Sequence, residues 1–214
     1  MNKKNHIVVA RYNEDLSWLK DISRVDTQIF IYNKGQKIEI DFGPGVSVIE
    51  MKNVGRESHT YLHHIVNFFN DLPERIIFTQ AHPDDHVSED FKSRISDFLD
   101  SQSEFEYFSK NVLEMKILED GVEESGNLNG SFWRNKHSLN SCCVTVPKEI
   151  IQELSSRKWI FGTGAIFGVS KNSINKNPKK FYLQCLEILE KSSDVTNPPE
   201  GHAFERSWYL IFNQ

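Results

Sequence analysis

The sequence predicts an α/β protein built on a mixed, mostly parallel sheet. Short apolar runs alternate with stretches of helical periodicity, the order of strand and crossover helix. Several of these runs stop abruptly in polar clusters. The plainest case is Ile76-Ile77-Phe78-Thr79-Gln80-Ala81, followed at once by His82-Pro83-Asp84-Asp85-His86. A buried strand that delivers imidazoles and carboxylates to its end suits an open α/β sheet, which binds ligands at the carboxyl ends of its strands.

The elements follow in order. Ile7-Val8-Val9-Ala10 reads as a buried strand, and polar Arg11-Tyr12-Asn13-Glu14-Asp15 leaves it for a helical pattern through Leu16, Leu19 and Ile22. Ile29-Phe30-Ile31-Tyr32 is a second strand ended by the turn Asn33-Lys34-Gly35, and Val46 to Met51 alternates as a third. Ser58 to Leu72 has helical periodicity and stops at Pro73. After the strand from Ile76 to Ala81, a helix is marked by Phe91, Ile95, Phe98 and Leu99. Ser101 to Pro147 reads as a long irregular excursion with one hairpin, of the kind used as a lid or binding loop. A short helix over Lys148 to Ser156 follows, then a strand Ala165 to Val169 preceded by Gly162 and Gly164. A helix over Phe181 to Leu189 and a terminal helix over His202 to Phe212 complete the chain.

Composition narrows the function classes. The 214 residues fit one domain or one with a small annex, and 15 Phe can fill a core. A net charge of -5 argues against binding nucleic acid through a general basic surface. No apolar run approaches the length of a membrane span. The basic start Met1 to His6 leads into a strand and not a signal peptide, so a cytoplasmic location is expected. Three Cys, two of them the adjacent Cys142 and Cys143, make neither a disulfide framework nor a zinc knuckle.

Four clusters could carry chemistry. His82, Asp84, Asp85 and His86 offer mixed N/O ligands for Mn²⁺, Zn²⁺, Fe²⁺ or Mg²⁺, and alternatively form a polar turn with an Asp capping the next helix. Arg11, Tyr12, Asn13 and Glu14 occupy the first strand-to-helix turn, where nucleotides often bind, although Arg11 could equally pair on the surface. Neither G-x-G-x-x-G nor a P-loop is present. Asn53-Val54-Gly55-Arg56 opens the long helix, where amide groups and Arg56 suit an anion, unless Arg56 only pairs with a carboxylate. His59 and His63 are spaced for one helix face, but without the H-E-x-x-H signature. In the last cluster His202, Glu205, Arg206 and Tyr209 share a face, with Phe204, Trp208 and Ile211 on the other. Ser131 and Ser170 lack a G-x-S-x-G elbow.

Taken together, Ile7 to Asp15, Tyr32-Asn33-Lys34-Gly35, Asn53 to Glu57 with Tyr61 to Ile65, and Gly201-His202 with Glu205 to Trp208 resemble the successive blocks of a GT-A-like glycosyltransferase family formerly of unknown function. The likeness is nearest to N-terminal glycosyltransferase domains of chlorella-virus type. It spans nearly the whole chain and implies one glycosyltransferase domain over 1–214, with a nucleotide-binding half to about residue 100 and an acceptor half beyond it. Such a domain can be the first part of a longer protein.

The resemblance further implies a UDP-sugar donor of glucose or rhamnose type and Mn²⁺ or Mg²⁺ as the metal. The implied acceptor is a glycan of a viral capsid protein, modified in the host cytoplasm. Ala10, Arg11, Tyr12, Asn13, Asn33, Lys34 and Arg56 would contact the nucleotide, with Gln80, Ala81 and Gly164 near the diphosphate and sugar. The D-x-D motif of such enzymes is replaced by Gln80-Ala81-His82, which makes His82, Asp84 and the late His202 the implied metal ligands. Glu205 and Asp85 are the implied catalytic carboxylates. Two other functions remain open: a metal-dependent phosphoester hydrolase on the same cluster, and a nucleotide-sugar-binding module without activity. The sequence leaves the oligomeric state open.

Overall fold

The structure is a computed structural model that describes residues 4–22, 25–39, 41–118, 121–137 and 158–213. The expected helix over Lys148 to Ser156, and Cys142 and Cys143, lie outside the described residues.

Six strands form the main sheet: β1 (Asn5–Arg11), β2 (Thr27–Asn33), β3 (Val46–Glu50), β4 (Arg75–Gln80), β5 (Phe105–Tyr107) and, much later in the chain, β10 (Phe167–Ser170). Their order is β3-β2-β1-β4-β10-β5. The first four run parallel, while β10 is antiparallel to both β4 and β5. The fold is therefore mixed α/β with a mostly parallel sheet, as the alternating pattern predicts.

Strand alternation sorts the core into two layers. Ile7, Val9, Ile29, Ile31 and Ile77 face a 3-10 turn (Ser17–Asp21) and helix α2 (Phe91–Asp100), and pack on Leu19, Ile95 and Phe98. Val8, Phe30, Tyr32, Ile76, Phe78 and Phe167 face the opposite way. That layer is covered by α1 (Arg56–Phe68), α4 (Lys179–Glu190) and α5 (Pro199–Phe212), which contribute Tyr61, Leu62, Tyr182, Phe204 and Trp208. A short helix α3 (Lys171–Asn175) follows β10, with Ser170 as N-cap accepting from the Ser173 amide. No helix among the described residues is long and apolar enough to cross a membrane.

Three expectations need correction. The excursion after Ser101 is not irregular: β6 (Val112–Leu118), β7 (Gly121–Leu128) and β8 (Ser131–His137) form an antiparallel meander, and β9 (Lys158–Gly162) completes a second sheet in the order β8-β7-β6-β9. Its central strand β7 is rich in Glu, Gly and Asn, which are poor strand formers, and β6 alternates buried and exposed residues so that one face is apolar. That face places Leu113, Met115, Val122, Trp159 and Phe161 around Leu210 of α5. The segment through Leu16, Leu19 and Ile22 forms a single 3-10 turn over Ser17–Asp21, which already buries all three side chains against the sheet. The late strand begins at Phe167, since Gly164 (φ 84°) and Ala165 (φ 53°) turn the backbone just before it.

One polar network is sealed inside the aromatic layer. His64 Nδ1 lies 2.9 Å from the Tyr32 hydroxyl, and His64 Nε2 lies 3.1 Å from His6 Nδ1. One proton assignment satisfies both contacts with every ring neutral: Tyr32 donates to His64, and His64 donates to His6. Burial lowers the pKa of His6 to about 4 and that of His64 well below its ordinary value. An unfolded His titrates near 6.5, so between pH 6.5 and 4 the unfolded chain binds more protons and folding weakens as pH falls. The expected loss from His6 is about 3 kcal/mol between neutral pH and pH 4. Urea unfolding of wild type and His6→Asn across this range checks it: the stability difference between the two should shrink by that amount on acidification.

Candidate functional site

The chain runs β1, β2, β3 outward in one direction and then returns to place β4 on the other side of β1. That reversal is a topological switch point, where the loops leaving adjacent strands diverge and open a crevice. Here the crevice lies beyond the carboxyl ends of β1 and β4 and has a volume of about 200 Å³. Ala10, Arg11 and Tyr12 form one wall, Gln80 and His82 another, and Lys34, Asn53, Arg56 and Glu57 the third. A neighbouring hollow of about 400 Å³ shares Arg11 and Glu14 with it. A larger hollow, about 780 Å³, lies at the opposite end of the sheet, among residues such as Lys4, Gln28 and Glu74. Size and chemistry therefore point to different ends. The smaller crevice is the better candidate because strand-end loops, a helix start and buried ionisable groups converge there.

The polar wall is preorganised. Arg11 Nη1 donates to Asn33 Oδ1 at 2.6 Å, and Arg11 Nε donates to the Glu14 carbonyl at 2.9 Å. Asn33 is fully buried and donates to Glu50 Oε2 at 2.9 Å, so it braces Arg11 from behind. Asn13 Oδ1 accepts from the Gln36 amide at 2.7 Å. The buried Lys34 ammonium donates to the carbonyls of Val54, at 2.6 Å, and Arg56. Burial pushes Lys34 down to about 8, against the upward pull of the Glu57 carboxylate.

Those two carbonyls flank an unusual helix start. Gly55 (φ 64°) and Arg56 (φ 51°) are both left-handed, and no side chain caps α1. A non-glycine residue there is strained. The left-handed pair precedes the acidic first turn of α1, which carries Glu57. Arg56 Nη1 lies 2.8 Å from His202 Nε2, and Arg56 Nε lies 3.5 Å from Glu57 Oε2. Burial raises the Glu57 carboxyl, with Arg56 opposing and Glu205 adding to the rise. Glu205 is likewise raised by burial, against the hydrogen bond it accepts from the Gly164 amide at 2.7 Å.

The Gly164 turn is tied to the site through Gln80 and Glu205. Gln80 Nε2 donates to the Gly164 carbonyl at 2.7 Å, so one peptide unit is tied to β4 and its neighbour to α5. A Cβ on Gly164 would stand 2.5 Å from the His86 ring.

The structure thus brings Ala10, Arg11, Tyr12, Lys34, Arg56, Gln80 and His82 together around one crevice. His202 and Glu205 reach it through Arg56 and Gly164, with 3.9 Å between His202 Nδ1 and Glu205 Oε2. Ala81 does not face it: its methyl is buried in the other core layer, and its carbonyl accepts from Trp18 Nε1 at 2.8 Å. Asp84 and Asp85 are exposed, each 3.9 Å from a different nitrogen of His82. Neither caps a helix, since α2 begins after Asp90. His59 and His63 are stacked but engaged separately, with Glu190 and Asn67.

Glu57 was not singled out by the sequence. An acid in the first turn of a helix reads as a complement to the helix dipole, and its burial beside Arg56 depends on the left-handed turn before it. Among the described residues no three His, Cys, Asp or Glu side chains converge as a metal site. A metal that draws most of its ligands from phosphate and water needs only one or two from protein, and His82 with Asp84 fits that smaller requirement.

Residues 7–214 match the profile of a family of proteins of unknown function (DUF3431), and the chain belongs to that family. No curated protein matches it.

Gly164→Ala should cost about 1–3 kcal/mol, because Ala is strained at positive φ, and should displace the His86 ring. Urea denaturation and the His86 ring NMR signals check this; unchanged values for both would remove the turn as a constraint on the site.

Proposed function

We propose that this DUF3431 member is a glycosyltransferase with a GT-A-like fold. It takes a hexose or deoxyhexose from a UDP-sugar and passes it to a glycan hydroxyl, with Mn²⁺ or Mg²⁺ as the metal. The observation that carries the reading is the crevice at the β1/β4 switch point, where Arg56 and Lys34 stand beside the buried carboxylate of Glu57. The mixed sheet with helices on both faces supports it, as do the preorganised groups after β1 and β2.

Glycosyl transfer breaks the anomeric C–O bond to a diphosphate, and negative charge grows on the leaving group. Preorganised cations in a partly dry site stabilise that charge. Arg56, at the start of α1, is placed for it, and Arg11 is held rigidly on the opposite wall. A divalent ion, held by His82 with Asp84 or His202, would supply further positive charge to the same phosphates. In the inverting form of the reaction, Glu57 accepts the acceptor hydroxyl proton while that oxygen bonds the anomeric carbon and UDP departs. A carboxylate raised by burial is a stronger base than an exposed one. This role falls to Glu57 rather than to Asp85, which is exposed, or to Glu205, whose Oε1 is committed to the Gly164 amide.

A thermal-shift panel of nucleotides and nucleotide sugars, with and without Mn²⁺, tests the reading. A UDP-selective, metal-dependent shift is expected, and a response to no nucleotide would overturn it. His82→Ala should weaken the metal-dependent part of UDP binding in calorimetric titrations without unfolding the protein. Glu57→Gln should keep UDP binding and lower turnover by about 10²-fold or more; full turnover in this variant would exclude Glu57 as the base.

A further inference from the structure

The large hollow at the amino ends of the strands has a definite chemistry. At about 780 Å³ it falls within the range of small-ligand pockets. Its apolar surface includes three rings: His6 and Phe30 have centroids 4.7 Å apart, His6 and Phe68 5.1 Å, and Phe30 and Phe68 5.0 Å. Around them stand the amides of Gln28, Asn67 and Asn70 and the hydroxyl of Ser47. Lys4 and Lys171 are matched in charge by Asp71 and Glu74, with Lys4 Nζ 3.5 Å from Glu74 Oε2.

Each feature restricts the ligand. A wall whose formal charges cancel does not select a phosphate or a nucleotide. Amides and carboxylates supply both donors and acceptors, which suits a ligand carrying many hydroxyls. The partly exposed ring of Phe68, backed by the buried rings of His6 and Phe30, suits the C–H face of a pyranose ring. The wall is also preorganised. Gln28 Nε2 donates to Ser47 Oγ at 3.1 Å, and the His6 ring is held by His64, itself fixed by Tyr32. Preorganisation lowers the entropy cost of binding.

We propose that this hollow is a binding site for a neutral oligosaccharide, separate from the crevice. The seven residues of β1 place its two ends about 20 Å apart, so one monosaccharide cannot occupy both sites. The site does not rest on the proposed transferase reading, although a second glycan site would hold a polymeric acceptor close to the enzyme.

The test is a ¹⁵N-NMR titration of the whole chain with maltotriose, cellotriose and chitotriose at millimolar concentration, repeated with saturating UDP and Mn²⁺. The expected result is saturable perturbation of the amides of Gln28, Ser47, Asn67 and Asn70 by at least one sugar, the same in both conditions. Gln28→Ala and Asn67→Ala should each weaken binding about tenfold while leaving the rest of the spectrum in place. Perturbation by none of the sugars, perturbation confined to the crevice around Arg11 and Gln80, or unchanged affinity in both variants would each overturn the proposal. UDP binding is read in the same experiment, so failure of the crevice and failure of the hollow are separable.

Discussion

The pairing of β1 on both edges is the constraint from which the rest of the structure follows. Residues from Asn5 to Ala10 are matched in parallel register to β2 on one side and β4 on the other. Ile7, Val8 and Val9 are completely buried. A strand with no free edge and no exposed face cannot slip, because a one-residue shift would exchange the two core layers. The loops leaving its carboxyl end are therefore held in place, and Arg11 emerges at a fixed point between Asn33 and the crevice.

Buried charge does the second part of the work. Lys34 sits at the end of β2 with its ammonium on two backbone carbonyls, one on each side of the left-handed Gly55–Arg56 turn. Leaving a buried donor or acceptor unpaired costs about 1–3 kcal/mol, and this arrangement satisfies three groups together. The strain at Arg56 is thereby tied to the placement of its guanidinium against His202 and Glu57. A second hub joins the outer sheet to α5. Glu124 Oε2 accepts from Arg206 Nε at 3.0 Å and lies 2.6 Å from His137 Nε2, while Trp159 Nε1 donates to the Arg206 carbonyl at 2.9 Å. Arg206 and Glu205 are adjacent on α5, so the meander steadies the same turn of helix that holds the Gly164 loop.

The two ends of the sheet differ in character. The carboxyl end gathers unbalanced, buried ionisable groups in a small crevice; the amino end gathers balanced charges, amides and rings around a larger hollow. The His6–His64–Tyr32 network spans the layer between them, with Tyr32 directly preceding Asn33 and Lys34. Its aromatic surroundings keep all three side chains neutral at physiological pH, which preserves the packing of Phe30, Phe68 and Phe78 around His64.

The sequence by itself determined the α/β class, the first four strands and the polar turns that follow β1, β2 and β4. Those features are written in local periodicity: continuous apolar runs, a helix stopped by Pro73, and polar residues at each strand end. It also named most of the crevice, because Arg11, Lys34, Arg56, Gln80 and His82 all sit at such ends. Only tertiary structure decided the second sheet, whose middle strand β7 lacks propensity and exists by pairing with β6 and β8 and by covering Leu210. Only tertiary structure could single out Glu57 and turn Ala81 away, since burial and the direction of a side chain depend on partners distant in the chain. The left-handed pair at Gly55 and Arg56 shows the reason most directly. Nothing local favours that conformation for an arginine, and it is held by a lysine more than twenty positions earlier in the chain.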